Sequence, residues 1–458
     1  MGETLSLLSP SFNRALKIEA RDERLTSDAG ALLLREALEH SRLLETLVPR
    51  LTDPRDPARV VHPLDELLRS ALLLQAQGWA DFSDIDPLEA DPALRTARAR
   101  DRGTTAADRA LASQATLSRL LDLLASPANR AELDAAPMAL AGRRLRAANR
   151  GRRHRRLTLD IDGLPLPVHG EQPGSAYNGH VRARMHYPLI ASCAETGDLV
   201  AGLLRDGNAA PAAEAATWIP KLVAAAEGSL CQRAIVRMDA GFTDGTTLEA
   251  LDSRGIGYLG RLRENPALQR LSRPYLTRGP GRPAQQPREW VVEQTYQAAS
   301  WDRERRVLMV LQEEPHHYFR RCFFLITNLD WPPEQVLAHY RKRGKAEGHM
   351  GEFKDVVGTS LPTTSRGAAD EDTVRARSQA LLSLRLLAYE LLHILRERME
   401  ALTGKGWSLR RLREQVLKVA ARVQRSGRRL HWVIARAALP AWRRLLPALG
   451  RMAWPPPG

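Results

Sequence analysis

The chain has 458 residues, and its 43% hydrophobic content is enough for one or more sizeable cores. Lysine and arginine number 68 against 53 acidic residues, so the formal net charge is +15 and a polyanionic partner such as nucleic acid is favoured. A generally arginine-rich composition would give the same balance. Three cysteines without a CxxC pair argue against a disulfide framework and against a zinc site.

The hydrophobic segments argue against a membrane protein. No N-terminal stretch combines basic residues with an apolar run, so no signal peptide is expected. The longest apolar segment, 380–395, contains Arg385, Glu390 and His393 and is shorter than a membrane span requires. We therefore predict a core helix over this segment and a cytoplasmic protein.

Residues 1–150 have the spacing of helices. Leucines recur three or four residues apart, as they do over 64–72. The segment 113–120 predicts a helix that could enter a DNA major groove, with a capped surface helix as the alternative. We interpret 1–150 as a helical DNA-binding region that ends before the arginine-rich run 152–156.

Strand and helix patterns then alternate over residues 151–262. Apolar and polar residues alternate over 157–162, and the segments 187–193 and 199–204 flank a turn, which predicts a hairpin. A helix, a strand, a short helix and a last strand are predicted at 212–227, 234–238, 245–253 and 256–262. The order β-β-β-α-β-α-β matches a ribonuclease-H-like mixed sheet, which is an inference from topology alone.

Changes of composition set the remaining boundaries. Residues 263–327 are predicted as a β-rich insertion whose first part, to about 290, is a loop rich in Pro, Arg and Gly. Helices resume at about 331, so 328–400 is expected to complete the ribonuclease-H-like core. Residues 401–458 are predicted as a helical C-terminal region, with a helix break at 426–427.

The strongest local pattern lies on a helix that is expected to begin with Asp330 as its N-cap. At about 100° per residue, four of its residues fall within an arc of roughly 60°, and these are Tyr340, Arg343, Glu347 and Lys354. Such a face suits a charged ligand or a metal ion. A solvated amphipathic helix with ion pairs is the alternative.

Three glycines, at positions 344, 348 and 351, fall within the same helix. Each should cost roughly 1 kcal/mol relative to alanine. Either a ligand such as a phosphodiester strand approaches the helix closely, or the helix breaks at the glycines.

Further carboxylates lie on the predicted strands. Asp160 and Asp162 share one face of the first strand because side chains alternate, and Asp239 ends the fourth strand. In this order the first and fourth strands can be neighbours, so Asp162 and Asp239 can converge. Either acid alone would more simply be an exposed strand end or a turn cap. Together with Glu347 they offer the oxygen ligands that suit two Mg²⁺ ions in phosphoryl transfer, and Mn²⁺ is expected to substitute.

These patterns resemble the DDE transposases of bacterial insertion sequences. The spacing of the four helix residues is similar to that of the large insertion-sequence family numbered four and its relatives. More narrowly, several segments resemble family thirteen-eighty: LTSDAG at 25–30, SQAT at 113–116, LDID at 159–162, YNG at 177–179 and RMDAGF at 237–242. The resemblance covers nearly the whole chain.

The resemblance implies a ribonuclease-H-like core, Mg²⁺-dependent cleavage at the ends of a mobile element, and strand transfer into target DNA. Asp162, Asp239 and Glu347 would be the catalytic metal ligands. Relatives commonly carry threonine where this chain has Leu164, which leaves open whether Asp160 or Asp162 is the first ligand.

The same resemblance implies that Tyr340, Arg343 and Lys354 contact the terminal DNA of the element. His169 is a further candidate to assist, with a structural histidine in a turn as the alternative. A homodimer on paired DNA ends is also expected, because both ends of an element must be processed together. The apolar stripe at 381–395 is either a partner surface or part of the core.

Two other functions would use the same residues. A ribonuclease-H-like nuclease would cut DNA at this metal site without joining the strands. A domesticated DNA-binding protein would retain the fold and the basic surface while its acids are inactive.

Overall fold

The computed structural model describes residues 10–13, 15–18, 22–168, 170–179, 181–278, 285–315, 317, 319–358, 361, 370–452 and 454. Over these residues the chain is a mixed α/β structure around an eight-stranded sheet, accompanied by two three-stranded sheets. Short 3-10 turns connect several elements, at Val48–Arg50, Pro57–Arg59, Phe82–Ile85, Thr104–Ala107 and Arg436–Ala438.

Helices dominate the chain before the central sheet. The short strand β1 (Leu25–Thr26) is followed by α1 (Ala31–Ser41), α2 (Leu43–Leu47), α3 (Leu64–Gln77), α4 (Pro92–Arg98), α5 (Gln114–Ala125) and α6 (Pro127–Ala148). The leucines that predicted α3 are buried, as expected for a helix that packs by one apolar face. In α5 four of the five leucines are likewise buried, whereas Arg119 on the opposite face is exposed.

The central part of the chain contains the predicted strands and helices. Its elements are β2 (His154–Gly163), β3 (Leu166–Pro167), β4 (Ala176–Asn178), β5 (Ala183–His186), β6 (Leu189–Cys193), β7 (Leu199–Leu203), α7 (Ala215–Ser229), β8 (Cys231–Met238), α8 (Gly245–Asp252) and β9 (Gly257–Leu262). The short strands β3, β5 and β4 form a sheet of their own, which the sequence did not predict. The remaining elements follow the predicted order β-β-β-α-β-α-β.

Strand β2 lies at the centre of the predicted strands. It pairs in parallel with β8 and antiparallel with β6, and β9 extends the sheet in parallel beyond β8. The prediction that the first and fourth strands are neighbours is therefore confirmed. Strands β6 and β7 form the predicted hairpin.

Residues 263–327 extend the central sheet instead of forming a separate β region. They form α9 (Pro266–Leu276), β10 (Arg288–Tyr296), β11 (Arg305–Glu313) and β12 (Arg321–Thr327). Because β12 pairs antiparallel with β9, the full strand order is β10-β11-β12-β9-β8-β2-β6-β7. Helix α9 forms within the predicted loop because the Asn265 side chain caps it and Pro266 occupies the first helical position.

The C-terminal part is only partly helical, so the prediction for 401–458 is partly wrong. Its elements are α10 (Pro333–Arg341), α11 (Gly344–Val357), α12 (Glu371–Thr403), α13 (Leu409–Leu412), a π-helical turn (Arg413–Leu417), β13 (Ala421–Ser426), β14 (Arg429–Ile434) and α14 (Leu439–Gly450). The expected helix break at 426–427 is the turn of the β13–β14 hairpin, where Gly427 has a φ of +57°. Strand β13 also pairs with β1.

Separate apolar layers cover the two faces of the sheet. Helices α7, α8 and α9 share a core with one face, which includes Leu159 of β2. On the other face, α10 packs against β9, β11 and β12. Helix α12 crosses β7 within a core formed by the N- and C-terminal helices. The predicted core helix at 380–395 is therefore confirmed, and its leucines are buried within the chain.

No helix in the described ranges combines the length and apolar character that crossing a membrane requires.

Candidate active site

Asp162 and Asp239 lie side by side at one edge of the central sheet. Asp162 is near the end of β2, and Asp239 directly follows β8. These strands are parallel neighbours whose register pairs Ile161 with Met238, so the next residue on each strand is a carboxylate. The sheet therefore brings these two predicted site residues together on a rigid support.

The helix predicted through Tyr340 and Lys354 is divided into two. Helix α10 ends at Arg341, and α11 begins at Gly344. The expected cap is also wrong, since Pro332 and not Asp330 occupies the N-cap position, with no side-chain hydrogen bond. The break agrees with the low helix propensity of glycine.

Arg343 is the junction between α10 and α11, and its guanidinium joins all three predicted acids. One nitrogen, Nη2, lies 2.6 Å from Asp162 Oδ2. The other, Nη1, lies 2.8 Å from Glu347 Oε1 and 4.0 Å from Asp239 Oδ1. Carboxylates from β2, from the end of β8 and from α11 thus converge on one side chain. Glu347 lies in the first turn of α11, where the helix dipole favours negative charge.

The site contains three carboxylates, and their side chains differ in exposure to solvent. The side chain of Asp162 is 24% exposed, whereas that of Glu347 is 59% exposed. Burial, together with the negative charges of Asp239 and Glu347 and against the opposing effect of Arg343, raises the pKa of Asp162 to about 6. Burial disfavours the charged form of Arg343, but the surrounding carboxylates outweigh this effect and raise its pKa.

Asp160 lies outside this cluster. Both of its carboxylate oxygens accept hydrogen bonds from Arg237, one of them from Nη2 at 2.6 Å, and both side chains are buried. Arg237 also donates to the backbone carbonyl of His339 on α10. Asp160 therefore orients Arg237, and Arg237 links α10 to the sheet. Because Asp160 is engaged in this way, the geometry favours Asp162 over Asp160 as the first metal ligand.

The predicted DNA-contacting residues lie beside the acids. Tyr340 is half-buried and packs against the core under α10. Lys354 is half-buried, and burial lowers its pKa although the nearby Asp162 carboxylate favours the charged form. His169, the further candidate, lies outside the described residues.

The donor set suits hard divalent cations, which bind carboxylate oxygens. As the side chains are placed, no three His, Cys, Asp or Glu residues in the described ranges form a metal-binding group. At this site the guanidinium of Arg343 lies among the acids and contacts oxygens of Asp162 and Glu347. Carboxylate oxygens from three different elements face one guanidinium, so the residues fit a cation.

Two neighbouring residues were not anticipated from the sequence. Tyr187 stands over the end of β2 so closely that a Cβ on Gly163 would lie 2.5 Å from the phenol oxygen. His339 accepts from or donates to Thr158 Oγ1 at 3.0 Å and packs edge-on against Trp331. Neither residue belongs to a motif of fixed spacing. In the sequence, the glycine directly after Asp162 was the signal that another side chain packs closely against this strand.

The chain matches the profile of the transposase DDE domain group 1 over residues 8–453. No curated protein matches the sequence. Among solved structures, the chain is similar to the piggyBac transposase in a cryo-electron-microscopy structure of its synaptic complex with hairpin DNA. That similarity has a TM-score of 0.46 and 12% identity, and it covers 82% of this chain and 78% of the other. Because the family profile spans nearly the entire sequence, the chain belongs to the DDE transposase family, domain group 1.

Proposed function

We propose that the protein binds the ends of a mobile DNA element, cleaves phosphodiester bonds there and transfers the strands to target DNA. The observation that carries this proposal is the convergence of Asp162, Asp239 and Glu347 on Arg343 at a partly exposed edge of the sheet. The family membership supports the reaction class. The strand order around β2 supports a ribonuclease-H-like core.

Asp162, Asp239 and Glu347 would hold two Mg²⁺ ions, with Mn²⁺ as a substitute. Bound there, such a pair supplies Lewis-acid activation of the attacking oxygen and stabilisation of the leaving oxygen. The two aspartates are fixed by paired strands, so they would hold their ligand atoms rigidly. Glu347, on a separate and more exposed helix, would complete the site from the opposite side.

Tyr340, Arg343 and Lys354 would contact the terminal DNA. Tyr340 lies on α10, Lys354 on α11 and Arg343 at their junction, and the +15 net charge favours a phosphate backbone as partner. Arg343 would have to leave the carboxylates to reach a phosphate. We also propose a homodimer on paired ends and kinship with insertion-sequence family thirteen-eighty of bacteria. The 381–395 stripe cannot supply the dimer surface, because these residues of α12 are buried within the chain.

The test is a reaction with labelled duplexes that carry the terminal sequences of the element encoding this chain, together with a target plasmid. With Mg²⁺ or Mn²⁺ we expect cleavage at the element ends and a joined product, and with EDTA neither. Cleavage without a joined product would favour the plain nuclease. Binding of the ends without cleavage in either metal would favour a domesticated DNA-binding protein.

A further inference from the structure

Helix α11, which carries Glu347, has one face without packing contacts. Ideal Cβ atoms built on Gly344, Gly348 and Gly351 meet no heavy atom of the chain within 4 Å. At about 100° per residue these glycines lie on the same side of the helix as Glu347. On this side of α11 the ion pair between Glu347 and Arg343 is a contact of the described chain, whereas the three glycine positions face open space.

The opposite side of α11 holds the helix against the protein. Met350, Phe353 and Val356 are buried there, and the ring of Phe353 packs edge-on against Tyr389 of α12. These apolar contacts favour burial but are non-directional, so they fix the axial position and rotation of the helix only loosely. Directional contacts must fix the position of Glu347.

Glu352 makes directional contacts on the packed side of α11, where Arg413 Nη1 also donates a hydrogen bond to the Val356 backbone carbonyl at 2.9 Å. Glu352 Oε2 forms an ion pair with Arg396 Nη1 on α12, and its Oε1 accepts a hydrogen bond from the Leu409 backbone N–H at 3.1 Å. His349, one turn earlier, lies over the turn of the β6–β7 hairpin. A Cβ on Gly197 would come within 2.8 Å of its ring. Charge-assisted hydrogen bonds of this kind are shorter and more directional than neutral ones.

Arg396 connects Glu352 to a buried network at the sheet. Its Nη2 lies 2.5 Å from His393 Nδ1, and His393 Nε2, which has no hydrogen-bond partner in the described part of the chain, faces Asp198 Oδ1 across 4.0 Å. Asp198 is fully buried and accepts two hydrogen bonds from Arg144 of α6. Asp198 directly precedes β7 in the turn of the β6–β7 hairpin, and β6 pairs with β2, where Ile190 is opposite Asp162. The Glu352–Arg396 contact therefore lies beside the hairpin that pairs with β2, the strand that carries Asp162.

We infer that Glu352 is a positioning residue: through Arg396 it fixes α11 so that Glu347 meets Asp162 and Asp239 at the distance needed for shared metal ions. This inference rests on the proposed function. Glu352 itself touches neither the acid cluster nor the bare face of α11, so it acts through the helix. Residues that orient metal ligands from behind typically change metal affinity or activity by 10- to 100-fold when they are substituted.

The test compares Glu352→Gln with Asp355→Asn, which removes the same charge from an exposed position of the same helix. Mn²⁺ affinity of the DNA-free protein is measured by electron paramagnetic resonance, and affinity for element-end DNA by fluorescence anisotropy. The Mg²⁺ concentration for half-maximal cleavage and the unfolding midpoint are measured in parallel. For Glu352→Gln we expect Mn²⁺ affinity to fall about tenfold and the Mg²⁺ requirement to rise, with end binding unchanged. Asp355→Asn should behave as the wild type.

Arg396→Lys provides a second route to the same position, because it keeps the charge and loses the planar fork. We expect an effect of the same sign and smaller size in Arg396→Lys, even if Glu352→Gln folds poorly. Mn²⁺ affinity equal to that of the wild type in both variants would overturn the inference while leaving the proposed function intact. A wild-type protein that binds no Mn²⁺ and cleaves no end DNA would overturn both.

Discussion

At the scale of single residues, Arg343 occupies the position among the three carboxylates of the site. Its guanidinium contacts the oxygens of Asp162 and Glu347 that a metal ion would use, and Asp239 lies next to the same nitrogen. In the proposed function, this monovalent cation of the chain would compete with divalent ions for the same ligands. DNA phosphate would relieve this competition by offering the guanidinium another partner.

Arg343→Gln should therefore raise the Mn²⁺ affinity of the DNA-free protein. An increase of about tenfold corresponds to ~1.4 kcal/mol of competing interaction, and calorimetric titration would measure it. Lys345→Gln, a loss of the same charge at an exposed position on α11, is the control. Mn²⁺ binding that is unchanged or weaker in Arg343→Gln would show that the guanidinium does not compete for the site.

The two aspartates of β2 should separate into a structural and a functional residue. Asp160→Asn leaves the buried guanidinium of Arg237 without a charged partner, so the free energy of unfolding should fall by about 3 kcal/mol. Asp162→Asn removes a carboxylate that burial and its acidic neighbours already destabilise, so stability should be retained. Urea denaturation of the two variants would measure this difference. Equal losses of stability would contradict the assignment.

At the scale of elements, the local sequence pattern predicted most of the helices and strands that form between residues close together in the chain. The alternation over 157–162 and the turn near 195–198 predicted β2 and the β6–β7 hairpin because both depend on adjacent residues. The prediction of helix over the β13–β14 hairpin is wrong although its two strands are adjacent in sequence, and the further partner of β13, β1, lies almost 400 residues away. The α10–α11 break was one of two outcomes that the glycines allowed.

The docking of α10 on the sheet should depend on pH through His339. Burial, assisted by the positive charge of Arg237, lowers the pKa of His339 to about 4, below the ordinary value near 6.5. The neutral ring therefore contributes stability above pH 6.5, and this contribution is lost as the pH falls from 6.5 towards 4. Between pH 7.5 and pH 5, urea denaturation should show a larger loss of unfolding free energy for the wild type than for His339→Gln. Parallel losses would contradict a depressed pKa.

At the scale of the whole molecule, the two ends of the described chain are joined. Asp28 is buried and accepts hydrogen bonds from Trp79 Nε1 and from Lys418 Nζ, and a Cβ on Gly30 would lie 2.2 Å from the Cα of Leu417. The segment 25–30 is therefore explained by packing against the C-terminal part. No local signal revealed this contact, because it joins residues that are distant in sequence.

The net charge of the whole molecule predicts how it binds DNA. With 68 basic against 53 acidic residues, affinity for end DNA should fall steeply between 50 and 200 mM salt, because bound phosphates release counterions. Lys354→Gln should weaken end binding and reduce the salt slope by about one, while Mn²⁺ affinity changes little. Anisotropy titrations at several salt concentrations would measure both. A salt-independent affinity would contradict a phosphate-dominated interface.

The most direct test of the three-carboxylate site separates DNA binding from chemistry with Glu347→Gln. This change removes a metal ligand and leaves Tyr340, Lys354 and the basic surface in place, so end binding should be retained within about twofold. Cleavage of labelled end DNA in Mg²⁺ or Mn²⁺ should fall at least 100-fold, as expected when a ligand shared by two catalytic ions is lost. Cleavage at the wild-type rate by Glu347→Gln would contradict the account.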